Sequence, residues 1–254
     1  MLPLLLVVAC GDGGRPVWKT EPSKPLAVAG YLTPPRVLAV RAAQGGTALA
    51  GLAAPGARVR LGEPDGQLRY ATADGSGLWT IVVPPSAGPR LFGLAMVVDG
   101  RTVQAEGYLA LTPDGRAAQL RAGGGTLVLA PPSRRPRILA LDFDRDGAAM
   151  ISGVGTVGAE IGLRLDRAAA GGSAIDRQGR FSFALSRPMS SASHELEISG
   201  EGGEDVLVVA TGRPDPLDRP FRASRLAGAW RIDWMTPGGG AQTTLLFDAP
   251  ATSR

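Results

Sequence analysis

Two stretches of the chain decide the fold because they are copies of one pattern. Residues 35–83 read "PRVLAVRAAQGGTALAGLAAPGARVRLGEPDGQLRYATADGSGLWTIVV", and residues 136–185 read "PRILALDFDRDGAAMISGVGTVGAEIGLRLDRAAAGGSAIDRQGRFSFAL". Equivalent glycines and aromatic residues recur 102 positions apart: Gly51 and Gly153, Trp79 and Phe181. A period of this length is too long for a solenoid unit and predicts tandem domains.

Each copy carries the residue pattern of β-strands. Apolar and polar residues alternate with a period of two, as at Ala57, Val59 and Leu61 and again at Phe181, Phe183 and Leu185. This alternation is typical of strands with one buried face. The chain contains 36 glycines and 21 prolines, which interrupt the strand-like runs. Short strands with such frequent turns predict an all-β protein built from antiparallel sandwiches.

The glycine-rich part of each copy resembles the bacterial Ig-like domains of surface and envelope proteins. The first copy carries their pattern at Gly51, Ala54, Pro55, Gly56, Ala57, Val59 and Leu61, then at Ala73, Asp74, Gly77 and Trp79. In the second copy Val157 replaces the proline and Phe181 the tryptophan. The resemblance implies two tandem Ig-like domains that act as a scaffold, spacer or binding module, without catalysis. Transthyretin-like and carboxypeptidase-regulatory sandwiches share the turn before the aromatic residue and are the rival fold.

The first ten residues, "MLPLLLVVAC", are interpreted as an export signal. The apolar run Leu2–Ala9 is far shorter than the roughly 20 residues that a membrane-spanning helix needs. Residues 7–10 resemble the lipobox of bacterial lipoproteins, which implies that Cys10 becomes lipidated and anchors the protein. Cys10 is the only cysteine, so it has no disulfide partner within the chain. The alternative is a nonlipidated leader in which Cys10 is simply a small apolar residue.

These patterns predict four segments in order. Residues 1–10 form the lipoprotein-type signal, and residues 11–34 form a tether rich in Pro and Gly. Residues 35–130, called the first repeat, form one Ig-like sandwich. Residues 131–250, called the second repeat, form another that ends in a C-terminal hairpin. Because Gly11, not aspartate, follows the cysteine, the lipoprotein resemblance implies the outer membrane, with the protein facing the periplasm or the cell surface.

A hairpin is expected near the end of each repeat. The stretches "LTPDGRAAQL" (111–120) and "MTPGGGAQTTL" (235–245) share a Thr-Pro turn, which predicts equivalent hairpins. Just before the second hairpin, Trp230 and Trp234 lie four positions apart, on one face of the predicted strand. The preferred interpretation is that they cover the open end of a sandwich. The alternative is a flat platform on which a sugar ring stacks.

The stretch "DFDRDG" matches the start of an EF-hand calcium loop. Its carboxylates, from Asp142, Asp144 and Asp146, occupy positions one, three and five, and a glycine occupies position six. The closing acid is missing because position twelve is Gly153. A solvated hairpin turn is therefore the preferred interpretation, and a calcium ion bound between the domains is the less favoured one.

The rest of the sequence excludes several classes of chemistry. With one cysteine and one histidine, the chain cannot form a Cys/His zinc site. His194 has no acid or nucleophile that the sequence pairs with it, so it is expected at the surface. The formal net charge of +4 comes from arginines interspersed with acids, which disfavours nucleic-acid binding. We therefore predict no cofactor, no catalytic residues and no nucleic-acid partner.

Three functions remain in order of preference. The first is a noncatalytic structural or binding module of the cell envelope, with envelope protein or polysaccharide as partner. The second is a carbohydrate-binding or carbohydrate-active accessory protein that uses Trp230 and Trp234. The third is a calcium-dependent, adhesin-like element built on Asp142, Asp144 and Asp146.

Overall fold

A computed structural model describes residues 31–213 and 215–248. The predicted signal (1–10), including Cys10, and most of the predicted tether (11–34) lie outside these residues. Every helix or strand assigned within the described residues is a β-strand, and all the pairings are antiparallel. The prediction of an all-β, antiparallel fold is confirmed.

The first repeat contains ten strands. They are β1 (Arg36–Ala43), β2 (Gly46–Leu52), β3 (Arg58–Gly62), β4 (Leu68–Thr72), β5 (Leu78–Val83), β6 (Arg90–Val98), β7 (Arg101–Gln104), β8 (Tyr108–Leu111), β9 (Ala117–Leu120) and β10 (Leu127–Val128). One sheet has the order β1-β2-β5. The other has the order β10-β9-β8-β6-β3-β4, with β7 also paired to β6.

The second repeat contains the other ten strands. They are β11 (Arg137–Asp144), β12 (Ala149–Val154), β13 (Glu160–Leu165), β14 (Ala168–Ala174), β15 (Arg180–Ala184), β16 (Ser193–Gly200), β17 (Gly203–Ala210), β18 (Phe221–Leu226), β19 (Ala229–Met235) and β20 (Ala241–Phe247). Its sheets have the orders β15-β12-β11-β20-β19-β18 and β14-β13-β16-β17.

The two repeats share a seven-stranded arrangement. Strands β1-β2-β5 correspond to β11-β12-β15, and β4-β3-β6-β7 correspond to β14-β13-β16-β17. A three-stranded sheet packed on a four-stranded sheet is the arrangement of an Ig-like sandwich. Each repeat has its own apolar core, as the alternation predicts: Ala57, Val59 and Leu61 are fully buried in the first. The division into two domains at residues 130 and 131 stays a prediction.

The repeated glycine and aromatic residue form one structural unit in each copy. Gly51 lies directly opposite Trp79 on the neighbouring strand, and Gly153 lies opposite Phe181. A Cβ atom added to either glycine would overlap both the aromatic ring and a backbone carbonyl oxygen. The ring therefore packs where only a glycine leaves room, which explains why the two residues recur together.

One aspartate turn is used three times. In each case the aspartate Oδ1 atom accepts hydrogen bonds from the backbone N–H groups two and four residues further along the chain. The residue three positions after the aspartate is a glycine with φ near +80°. The turns begin at Asp74, Asp144 and Asp176 and place Gly77, Gly147 and Gly179 in this conformation. Only glycine adopts such a backbone without strain. The turn "DRDG" is thus the same solvated hairpin turn that the repeats use elsewhere.

The C-terminal hairpins have equivalent turns but different positions. The N–H of Thr112 donates to the carbonyl oxygen of Arg116 at 2.9 Å, and that of Thr236 donates to Gly240 at 2.8 Å, which confirms the predicted equivalence of the turns. However, β8 pairs with β6, whereas β20 pairs with β11. The first hairpin therefore extends the four-stranded sheet of its repeat, and the second extends the three-stranded sheet.

Candidate functional site

The two repeats meet in a buried apolar cluster, here called the junction cluster. The first repeat contributes Leu91, Ala110, Ala118 and Leu120, and the second contributes Ala140, Ile232, Trp234 and Leu246. Strand β8 is buried on both faces because Leu109 and Leu111 point into the core of the first repeat while Ala110 points into the junction cluster. The hairpins β8–β9 and β19–β20 are therefore the elements that join the repeats.

Trp234 lies at the centre of this cluster. Its side chain is fully buried, its Nε1–H donates to Oγ1 of Thr244 at 3.1 Å, and its ring meets that of Tyr108 edge to face at 5.8 Å between centroids. Trp230 is half-buried and carries the guanidinium of Arg225 over its ring at 5.3 Å. A flat platform made of both tryptophans is therefore not presented to solvent, because one of the two rings is enclosed between the repeats.

A buried carboxylate lies beside the cluster. Oδ2 of Asp142 accepts the backbone N–H of Thr126 at 2.6 Å, and Oδ1 accepts the hydroxyls of Thr126 and Thr244. Burial raises the pKa of Asp142, while the hydrogen bonds from Thr244 and Thr126 act in the opposite direction. Because Thr126 lies near the end of the first repeat, this carboxylate fixes that end to the sheet that contains β11 and β20.

The three aspartates of the predicted calcium loop do not converge on one point. Asp142 is buried and bound to threonines, whereas Oδ1 of Asp144 accepts the N–H groups of Asp146 and Ala148 in the hairpin turn. Within the described ranges, no three acidic, histidine or cysteine side chains cluster as metal ligands would. The three carboxylates do not converge because Asp142 lies on a buried face of β11, whereas Asp144 and Asp146 belong to the hairpin turn.

Charged groups close one side of the contact between repeats. Arg116, in the β8–β9 turn, donates to the carbonyl oxygen of Phe247 and, at 2.9 Å, to Oδ1 of Asp248. Arg225 also pairs with Asp248, and the hydrogen bond from Arg225 is the main cause that lowers the pKa of this carboxyl. The first repeat is thus tied to the end of β20 by hydrogen bonds as well as by apolar packing.

His194 is not at the surface, and that prediction is wrong. Its ring is buried, with Nδ1 2.8 Å from Oδ2 of Asp166 and Nε2 3.0 Å from the carbonyl oxygen of Ser190. Burial disfavours the charged ring, but the hydrogen bonds to Asp166 and Ser190 outweigh it and raise the pKa of His194. Asp166 lies 28 residues away in sequence, in a turn, so no local spacing reveals this pair.

The histidine and its neighbours resemble a catalytic triad in composition but not in geometry. Oγ of Ser190 lies 3.4 Å from Nε2 of His194, farther than the carbonyl oxygen of the same residue. Both ring nitrogens face acceptors, so both donate when the ring is protonated. A general base needs a free lone pair on Nε2 to accept the proton of a nucleophile. This arrangement instead ties the segment before β16 to the β13–β14 turn.

The comparisons with known proteins give weak similarities to solved structures. No family profile and no curated protein match the chain. A biofilm-associated protein (its BSP domain) is 14% identical over 70% of this chain and 30% of that one, with a TM-score of 0.26. The central fibronectin-III array of RIM-binding protein is 12% identical over 84% and 88%, with a TM-score of 0.26. Chicken interferon gamma receptor alpha chain, in selenomethionine form, is 8% identical over 71% and 99%, with a TM-score of 0.25.

These similarities are too low to transfer a function to this chain. The aligned part also spans less than a third of the biofilm-associated chain. As for membrane insertion, the residues that the structure describes include no helix with the length and hydrophobicity to span a bilayer.

Proposed function

We propose that the chain is an exported bacterial lipoprotein of the cell envelope whose two Ig-like repeats act as a noncatalytic structural or binding module. The observation that carries the structural role is the junction cluster together with the Asp142 network. Apolar packing, a buried carboxylate and an ion pair all connect the repeats. Contacts of this kind hold tandem sandwiches in one relative orientation. A fixed orientation suits a spacer that holds a binding surface or a partner protein at a set position.

The anchoring part of the proposal rests on the sequence of residues 7–10. Acyl chains on Cys10 hold a protein at a bilayer because each buried methylene contributes about 0.8 kcal/mol, so two or more chains give stable attachment. The module then stands on its tether in the periplasm or at the cell surface, where envelope protein and polysaccharide are available as partners.

Metabolic labelling with an alkyne fatty acid tests the anchor. We expect label on the wild-type chain and its recovery in the outer-membrane fraction of a bacterial host. The Cys10→Ser variant should carry no label and leave the membrane fraction. A Cys10→Ser chain that stays membrane-bound would contradict lipid anchoring.

Pulsed electron paramagnetic resonance on spin-labelled variants tests the structural role separately, by measuring the distance between the two repeats. In a Cys10→Ser background, Thr80→Cys and Val208→Cys place one label on an exposed position of each repeat. We expect a narrow distance distribution that broadens when Trp234→Ala is added and stays narrow with Trp230→Ala. A broad distribution in the parent chain would contradict a fixed orientation.

A further inference from the structure

A polar pocket of about 320 Å³ lies where residues 121–128, at the end of the first repeat, pass beside β12 and β15. Ser152 and Ser182 are cross-strand partners on the outer face of these strands, because their neighbours Ile151 and Phe181 point into the core. Its charged lining residues are Arg121, Asp176 and Arg180, and its hydroxyl-bearing lining residues are Thr126, Ser152, Ser173 and Ser182. Its volume lies at the lower end of the range for small-ligand sites.

Arg180 carries the clearest sign of a missing partner. Its Nε atom is buried without a hydrogen-bond acceptor, and no acid of the described residues forms an ion pair with its guanidinium. Buried polar groups in native proteins are nearly always bonded to protein, water or ligand. Arg69 and Trp79 also have a buried nitrogen without an acceptor, but neither lines this pocket.

The rest of the pocket is held in place and carries excess positive charge. Arg121 donates to the carbonyl oxygens of Gly124 and Gly125 at 2.8 and 2.9 Å, which fixes its side chain. Gly125 lies directly against Ser182, since a Cβ atom there would overlap Oγ of that serine. The one acid, Asp176, uses Oδ1 to accept backbone N–H groups of its turn. Two guanidinium groups thus face one carboxylate.

We propose that this pocket binds one anionic sugar residue, with the carboxylate or phosphate group on Arg180 and a ring hydroxyl on Ser182, whose side chain is exposed. A guanidinium binds a carboxylate or phosphate through two parallel hydrogen bonds. Serine hydroxyls both donate and accept, which matches the hydroxyl groups of a sugar. No hydrophobic ring is needed, so this site is distinct from the pair of tryptophans. A sugar site here would make the proposed module a binding protein as well as a spacer, and its test does not depend on lipidation of Cys10.

Titration calorimetry on the full chain carrying Cys10→Ser tests the pocket. The probes are glucuronate, glucose 6-phosphate, glucose and inorganic phosphate. We expect at least one anionic sugar to bind about tenfold or more tightly than glucose and than phosphate. The arm that binds, glucuronate or glucose 6-phosphate, identifies the anionic group.

Matched variants locate the binding. Arg180→Gln should weaken binding of the anionic sugar about tenfold or more, whereas Arg177→Gln, which removes the same charge from an exposed position of the neighbouring turn, should change it less than roughly twofold. Ser182→Ala should weaken sugar binding while thermal melting shows a folded chain. Absence of binding for both anionic sugars, equal losses in the two arginine variants, or phosphate binding as tight as sugar binding would each overturn the proposal. None of these results bears on lipid anchoring.

Discussion

Strands β1 and β11 open the two repeats with nearly the same pattern, "RVLAVRAA" and "RILALDFD", yet their surroundings differ. Ala39 is exposed, whereas its equivalent Ala140 is fully buried. Arg41 is exposed, whereas its equivalent Asp142 is buried. In the described part of the chain, β1 pairs with β2 alone, while β11 pairs with both β12 and β20. The difference shows that the local pattern sets the strand but not what covers it.

The cause lies in the hairpins that follow each repeat. The hairpin β8–β9 joins the sheet of β6 and leaves β1 uncovered, whereas β19–β20 joins β11 and provides the surface that the first repeat covers. The turns at Thr112 and Thr236 form the same backbone hydrogen bond, although their hairpins join different sheets.

The largest effect is expected from a charge introduced at Ala140, and the equivalent Ala39 is the control. Ala140→Glu should lower the free energy of unfolding by about 5 kcal/mol or more, because it places an unpaired charge in the junction cluster. Ala39→Glu should change it by less than about 0.5 kcal/mol, since that position faces solvent. Urea denaturation measures both. Similar losses at the two sites would remove the distinction between β1 and β11.

Truncation of the two tryptophans comes next. Trp234→Ala should cost about 3–5 kcal/mol, because it opens a cavity in the junction cluster and removes the hydrogen bond to Thr244. Trp230→Ala is the matched control and should cost about 1 kcal/mol, because its ring is half-buried and half-solvated. Guanidinium denaturation distinguishes them. Equal costs would mean that Trp234 is not enclosed between the repeats.

The shared part of the repeats should respond equally in both copies. Gly51→Ala and Gly153→Ala should each cost about 1–3 kcal/mol, because the added methyl group overlaps an aromatic ring and a carbonyl oxygen. Gly162→Ala has open space and an ordinary backbone, so it should be neutral or slightly stabilising. Thermal melting monitored by circular dichroism measures the three variants. A loss in only one repeat would show that the glycine and aromatic unit is not equivalent in the two.

The smallest effect concerns pH and is confined to the second repeat. Because the pKa of His194 is raised in the folded chain, the folded state binds this proton more tightly than the unfolded state does. The stabilisation is therefore complete below the ordinary pKa of histidine and is lost as the pH rises through the raised value. Urea midpoints measured across this window should fall with rising pH. The slope should flatten in His194→Gln, and an unchanged slope would contradict the assignment.

The sequence predicted the parts of the fold that depend on local pattern. Strand alternation, the turn at Asp144 and the shared hairpin turns follow from residues close in sequence, and the structure contains them. The burial of β8 on both faces has a signal as well, since "YLAL" is continuously apolar where alternation would leave a polar residue.

The junction could not be predicted from the sequence because its pairings are not local. The hydrogen bond between Thr244 and Asp142 joins residues 102 positions apart, and no pattern indicates which sheet edge β20 joins. The same holds for His194, whose acid lies in a different turn. The pocket at Arg180 combines the end of the first repeat with two strands of the second, so its residues are also separated in sequence.

The position of β20 has a consequence for how the chain matures. All the pairings of the first repeat lie within residues 36–128, so its sheets can close before the second repeat has folded. The apolar strip formed by Ala118 and Leu120, in contrast, is covered only when β20, which ends at Phe247, has paired between β11 and β19. A chain in which β20 has not yet docked exposes an apolar strip beside a folded sandwich, which makes it a substrate for holding chaperones and proteases.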